Sequence, residues 1–208
     1  MEEKDAYAGE KILDLLNFQE LTREYNLSVN QNFLFLQETL IAEVRRRCRR
    51  GTTFFAPRSW RKPVKHLQVA AIRHLKNCPD EASVRAIACE VAACALTITN
   101  GKPYNFVCGV PGGSSRKKEN FGSLIARFVA DELDIRYCAP LATGTAGKCS
   151  TSHPRQSMNF RSRYVGGVPE GSFGLLVDDV ATSGSHFADC VSQLRKQGIS
   201  VVCVSWIG

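Results

Sequence analysis

GLLVDDVATSGSHF, residues 174–187, runs from apolar residues into two adjacent carboxylates, Asp178 and Asp179, and then into a cluster of small hydroxyl residues. Like charges repel, and burying either carboxylate without a partner is costly. A strand end needs at most one Asp or Asn. The pair therefore points to a ligand that is cationic, rich in hydroxyls, or both.

The flanks supply the fold. Ahead of the acids lies the apolar run SFGLLV (172–177), and behind them come HFADCVSQLRKQ (186–197), Gly198 and ISVVCVSWI (199–207). Strand, helix and strand in near-continuous apolar runs indicate a parallel sheet covered on both faces. Upstream, YNFVCGV (104–110) reads as a strand stopping at Pro111, Gly112 and Gly113. NFGSLIARFVADEL (120–133) reads as an amphipathic helix with Phe121, Leu124, Ile125, Phe128, Val129 and Leu133 on one side, and IRYCAPL (135–141) as a further strand. Residues 143–171 are polar and show no period.

In such a sheet, ligands bind beyond the carboxyl ends of the strands, where Asp178 and Asp179 fall. The loop that follows opens a helix, whose start offers backbone N–H groups and the positive end of its dipole. Gly184 lets the backbone close around an anion, and Thr182, Ser183 and Ser185 add hydroxyl donors. A phosphorylated sugar satisfies both halves, its phosphate in the loop and its hydroxyls on the carboxylates.

With these residues in place, LLVDDVATSGS resembles the phosphoribosyl pyrophosphate (PRPP) signature of type I phosphoribosyltransferases: a hydrophobic strand, two acids, an apolar residue, any residue, Thr, Thr or Ser, and Gly. VCGVPGGSSRKKENFGSLIARFVADEL (107–133) is similar to the first strand, pyrophosphate loop and helix of the ComF-like subgroup, and RQSMNFRSRYVGG (155–167) is more loosely similar to the segment before the signature strand. The resemblance implies an α/β fold with that family's parallel sheet. It implies Asp178 and Asp179 as the catalytic acids on the ribose hydroxyls, and Thr182, Ser183 and Gly184 on the 5′-phosphate, with Ala181 and Ser185 contributing backbone. Mg²⁺ would be held mainly through PRPP, with no direct protein ligand. A nitrogen base, not readable from the sequence, would displace pyrophosphate. Arg116, Lys117 and Lys118 would hold that pyrophosphate, although a solvated loop explains them equally. Lys148, His153 and Arg155 are closing charges if 143–171 is a lid, and ordinary loop residues if it is not.

One position departs from the signature. Two residues after the signature Gly the family carries Thr, and here stands His186. An imidazole can still donate to phosphate, most strongly when protonated. It equally suits a remodelled pocket, so a PRPP or nucleotide sensor without turnover is the first rival to the enzyme.

Residues 1–100 read as a helical N-terminal region, and 101–208 as the phosphoribosyltransferase-like domain. AGEKILDLLNFQELTREY (8–25), NFLFLQETLIAEVRRR (32–47) and VKHLQVAAIRHLKN (64–77) each repeat apolar residues at helical spacing. CPDEASVRAIACEVAACALTITNG (78–101) is the clearest helix, with Val84, Ile87, Ala88, Val91, Ala92, Ala95 and Leu96 in one stripe and a stop at Asn100 and Gly101. Between Arg45 and Lys65 lie nine Lys or Arg residues and no acid, while the rest of this +7 chain is close to neutral. Arg45, Arg46, Arg47, Arg49, Arg50 and Trp60, with Phe54 and Phe55, suit a nucleic-acid contact, or a solvated basic loop. Because phosphoribosyltransferase-like chains accompany retron (reverse transcriptase) defence systems, an effector subunit of a nucleic-acid assembly is the second rival.

The nine cysteines are odd in number, include no CxxC, and mostly sit in apolar runs: Cys89, Cys94, Cys108, Cys138, Cys190 and Cys203. They read as buried free thiols, and the four histidines do not join them at zinc-site spacing. No stretch reads as membrane-spanning and none as a signal region, so the expectation is a soluble cytoplasmic protein, alone or in a homo- or hetero-oligomer.

Overall fold

The five central strands follow the order β1 (Ile41–Arg49), β2 (Thr52–Ser59), β7 (Ser200–Ile207), β6 (Phe173–Val180) and β3 (Phe106–Gly109). The structure is a computed structural model, and it describes residues 30–112, 120–144 and 161–208. Two compact units emerge, one from residues 1–41 and 60–83 and the other from 42–59 and 84–208.

In the first unit, α1 (Gln31–Thr39) packs on α2 (Lys65–Asn77). Asn30 caps α1, accepting from the Asn32 N–H at 3.1 Å. Phe33, Phe35 and Leu36 of α1 and Ala71, Ile72 and Leu75 of α2 are buried, as the helical spacing requires. Trp60 belongs to this unit, with the Lys65 ammonium 5.9 Å from its ring centroid.

The second unit is the α/β body. β3 (Phe106–Gly109), β6 (Phe173–Val180) and β7 (Ser200–Ile207) run parallel, pairing Cys108 with Leu176 and Leu176 with Cys203. α5 (Ser185–Arg195) connects β6 to β7, and Phe187, Cys190 and Leu194 pack in one cluster with Cys108, Leu176 and Cys203. α4 (Phe121–Glu132) lies on the other face, where its Ser123 meets Gly109, the strand residue next to Cys108. This is the parallel α/β sheet expected from the sequence.

Three expectations need correction. First, residues 41–59 are not helical. β1 (Ile41–Arg49) and β2 (Thr52–Ser59) form a hairpin through Arg50 and Gly51, whose φ values of 50° and 71° suit the tight turn that joins antiparallel strands. β2 then pairs parallel with β7, Phe55 opposite Val204. A helix would stack Arg45, Arg46, Arg49 and Arg50 at spacings of three and four, where like charges repel; a strand divides them between two faces. β2 is rich in Thr and Phe, and the β7 edge completes its ladder, so a distant partner overrides the local period.

Second, the strand at 135–141 shrinks to one parallel bridge, Val107 to Tyr137. Pro140 cannot donate to a ladder, and beyond it β4 (Leu141–Thr143) pairs antiparallel with β5 (Ser162–Tyr164) in a separate ribbon. Third, a stretch of membrane-spanning length does exist. α3 (Glu81–Thr99) is long and apolar enough to cross a bilayer, but Val84, Ile87, Ala88, Val91 and Ala95 are buried in the protein. Leu96, expected in that stripe, is 44% exposed. Glu90 anchors α3, accepting from Arg58 Nη2 at 2.6 Å, Arg58 Nε at 2.8 Å and Trp206 Nε1 at 2.9 Å.

Candidate functional site

The chain leaves β3 toward the Tyr137 side and leaves β6 toward β7, so the crevice between β3 and β6 is a point where the connections diverge. Asp178 and Asp179 end β6 there, 9% and 8% exposed. Successive strand residues project to opposite faces, which separates two charges that adjoin in sequence. The Asp179 N–H donates to Asp178 Oδ1 at 2.9 Å and helps hold that carboxylate in its buried setting.

An open cavity of about 100 Å³ is lined by Asp178 and residues 180–187. It therefore joins one acid to the hydroxyl-rich loop. Thr182 and Ser183 are exposed, Ser185 is half-buried, and Ser183 Oγ lies 2.8 Å from Ser185 Oγ. Gly184, at the N-cap of α5, has φ +66° and no side chain with which to cap the helix, while the Ser185 N–H reaches Ser183 Oγ at a long 3.4 Å. A Cβ at Gly184 would lie 2.9 Å from Phe54 Cε1 and 3.2 Å from Arg49 Cβ, so both the backbone and the packing select glycine. The uncapped first turn of α5 thus opens beside the pocket with its dipole favouring an anion. His186 is exposed at the rim, and Ala181 is buried with its N–H on the Ile207 carbonyl at 2.9 Å.

Beneath the site, burial is the main cause that pushes the Cys190 thiol up to about 12, with Asp189 and Asp178 adding to it. Cys203 and Cys108 are raised by burial as well. Neutral thiols there fill space and offer no thiolate nucleophile. All described cysteines are free; Cys89 is exposed and Cys138 half-buried, against the expectation that both are core.

Residues that the sequence reading overlooked complete the crevice. Asn120 caps α4, its Oδ1 accepting from Ser123 N at 2.7 Å, and its Nδ2 donates to the Val110 carbonyl at 2.9 Å. Gly122 lets the first turn of α4 approach the acids, since a Cβ there would stand 3.1 Å from Asp178 Oδ1 and 3.4 Å from Asp179 N. The β4–β5 ribbon joins both walls: Thr143 Oγ1 donates to the Gly112 carbonyl, while Ser162 N and Oγ donate to Asp189 on α5 at 2.6 and 2.5 Å. An Asn three residues before Ser at the head of an amphipathic helix was the legible signal for the cap. Gly122 carried none.

The remaining predicted residues divide. Arg45, Arg46, Arg47 and Arg49 lie on β1, Arg50 lies in its turn, and Trp60 is in the first unit. Phe54, expected as a stacking surface for bases, is fully buried with its ring 5.5 Å from Phe187. It became core because the hairpin folds its apolar side onto α5. Arg116, Lys117, Lys118, Lys148, His153 and Arg155 fall outside the described residues.

No family model matches the chain, and no curated protein does. Several solved structures are similar. Adenine phosphoribosyltransferase from Saccharomyces cerevisiae, complexed with an imino-altritol bisphosphate and adenine, is 11% identical over 86% of this chain and 89% of its own, with a TM-score of 0.47. A second adenine phosphoribosyltransferase is 12% identical over 83% of this chain and 88% of its own, at TM-score 0.49. A hypothetical protein from Neisseria gonorrhoeae with bound ppGpp is 20% identical over 60% of this chain and 65% of its own, at TM-score 0.41. The likeness is one of chain course at low identity, and the parallel α/β fold stands on its own strand order and registers.

Proposed function

We propose that the protein binds PRPP with Mg²⁺ in this crevice and transfers the phosphoribosyl group to a nitrogen base, releasing pyrophosphate. One observation carries the reading: a buried carboxylate, Asp178, and the uncapped, hydroxyl-lined first turn of α5 border the same cavity. Thr182, Ser183, Gly184 and Ser185 take the 5′-phosphate, without the backbone of Ala181, whose N–H is spent on the Ile207 carbonyl at 2.9 Å, and Asp178 and Asp179 take ribose hydroxyls. The base nitrogen bonds to C1 of the ribose as the C1–oxygen bond to pyrophosphate breaks, its electron pair leaving with that group. The carboxylates stabilise the oxocarbenium character that develops between these events. No side chain forms a covalent intermediate.

The donor chemistry fits Mg²⁺, a hard cation that takes carboxylate and phosphate oxygens. PRPP oxygens would supply most of its shell. When bound, the ion neutralises the departing pyrophosphate, a task shared with Arg116, Lys117 and Lys118 in the ComF-like reading of that loop. The setting is the cytoplasm, and a homo- or hetero-oligomer is compatible with it.

Calorimetry tests the proposal. Wild-type protein with Mg²⁺ should bind PRPP, and the Asp178→Asn, Asp179→Asn double variant should lose that affinity while keeping its fold. Equal affinities would refute the assignment. Binding without pyrophosphate release, over a panel of bases, selects the sensor reading that exposed His186 favours. A nucleic-acid effector is favoured by the exposed outer residues Arg46 and Arg50.

A further inference from the structure

Arg49 of the basic run and Gly184 of the anion loop lie 135 residues apart in sequence, yet the hairpin brings them into contact. Alternation along β1 sends Arg45, Arg47 and Arg49 to one face and Ala42, Val44, Arg46 and Cys48 to the other. The second set is exposed throughout. The first set shares its face with Phe54 and Ala56, which two close approaches establish. A Cβ at Gly184 would meet Phe54 and Arg49 together, the latter at 3.2 Å. A Cβ at Gly208 would meet Ala56 Cβ at 2.7 Å and Arg47 Nε at 3.5 Å.

The three arginines are not equivalent. Arg45 is neutralised on its own strand by Glu43, 3.0 Å away. Arg47 Nε is buried and has no hydrogen-bond partner in the structure. Arg49 is exposed, and its stem starts against the backbone of Gly184, the residue that opens the α5 turn. A guanidinium on that flexible stem can reach an anion held by the loop and grip it with two parallel hydrogen bonds.

We propose that Arg49 is a specificity-determining residue of the phosphate pocket, with Arg47 behind it, so that the β1–β2 hairpin adds a cationic wall that selects a dianionic phosphate monoester. The inference rests on the reading of residues 181–186 as the phosphate loop, and it goes beyond that reading by assigning the excess charge of the N-terminal half to the same site. It also accounts for the change at 186: with a guanidinium at the loop, the pocket depends less on a hydroxyl there.

Calorimetry with ribose 5-phosphate, and separately with PRPP and Mg²⁺, separates the outcomes. Arg49→Gln should weaken ribose 5-phosphate binding about tenfold or more, since hydrogen bonds to charged groups carry about that much. It should also flatten the dependence of affinity on salt. Arg46→Gln removes the same charge from the opposite face and should stay within about twofold of wild type. Arg49→Met keeps the stem packed on Gly184 without the charge, and should reproduce the loss even if Arg49→Gln folds poorly. Equal affinities for the Arg49 variants and wild type overturn the inference, and so do equal losses for Arg49→Gln and Arg46→Gln. If Asp178→Asn still abolishes PRPP binding in that case, the proposed function survives without Arg49. A wild-type protein that binds neither compound overturns both.

Discussion

Gly122→Ala separates stability from ligand binding. Gly122 is the second residue of α4, where alanine gains about 0.5–1 kcal/mol of helix preference over glycine. Against that gain, the new Cβ would sit 3.1 Å from Asp178 Oδ1 and 3.4 Å from both Asn120 Oδ1 and Asp179 N. Ordinary contact requires the carboxylate to retreat by a few tenths of an ångström. That movement strains the 2.9 Å bond from Asp179 N–H, and losing such a bond costs about 0.5–1.5 kcal/mol. The two effects nearly cancel, so the melting temperature should stay within about 4 °C of wild type. Binding has no such compensation. A displaced Asp178 forfeits a charged hydrogen bond to a ribose hydroxyl, about 1.5–3 kcal/mol, or roughly a 10- to 150-fold weaker affinity for PRPP–Mg²⁺. Thermal melts followed by circular dichroism and calorimetric titration measure the two quantities independently. Wild-type affinity in a variant of wild-type stability would refute the placement of Asp178 on the ligand. A rise in melting temperature by the full helix-preference gain, about 2–4 °C, would refute the packing of α4 against the acids.

Gly184→Ala should lose both properties. The left-handed φ costs about 1–2 kcal/mol and the approach to Phe54 about 1–3 more, so the melting temperature should drop by at least about 4 °C; an unshifted melt would contradict the loop geometry. Iodoacetamide at pH 8 should label Cys48, Cys78 and Cys89 in the native protein and spare Cys94 and Cys190, whose thiols burial holds at about 11 and about 12, until denaturant is added. Mass-spectrometric detection of native Cys190 labelling would count against the packing of α5. His186→Thr supplies the hydroxyl that the phosphoribosyltransferase signature carries at this position; PRPP binding by wild type should strengthen more steeply on acidification than binding by the variant, and identical pH profiles would remove His186 from the phosphate site. In gel shifts across salt, Arg46→Gln with Arg50→Gln should weaken any RNA or DNA complex while leaving PRPP affinity intact, and absence of a complex at low salt would end the nucleic-acid reading.

The site was legible in sequence where chemistry and spacing coincide. Asp178, Asp179 and the loop to His186 occupy consecutive positions, and the apolar runs on both sides fix them to a strand end and a helix start. The contributions that escaped come from elsewhere in the chain and, apart from the Asn120 cap, carry no local sign. Gly122 differs from other helical glycines only because β6 passes beneath it. Asp189 reads as an ordinary polar helix residue until Ser162 is seen beside it. Residues 41–49 gave a false helical period because Leu40, Ile41 and Val44 match an apolar stripe, while the pairing that makes a strand depends on β7, some 150 residues away.

That misreading bears on charge. Read as a helix or loop, nine cations concentrated in one segment repel one another and suit either an external polyanion or a solvated basic loop. Folded as a hairpin, they lose that unity. Arg58 is bound by Glu90 on α3, Arg45 by Glu43, and Arg61 and Lys62 belong to the first unit. Arg46 and Arg50 are exposed, whereas Arg47 and Arg49 share the face on which the hairpin meets the C-terminal glycine and the α5 turn. A polyanion that used the whole run would have to reach both faces of one strand. A phosphate in the loop needs only one face, the one that carries Arg47 and Arg49 beside Arg45, which Glu43 already neutralises.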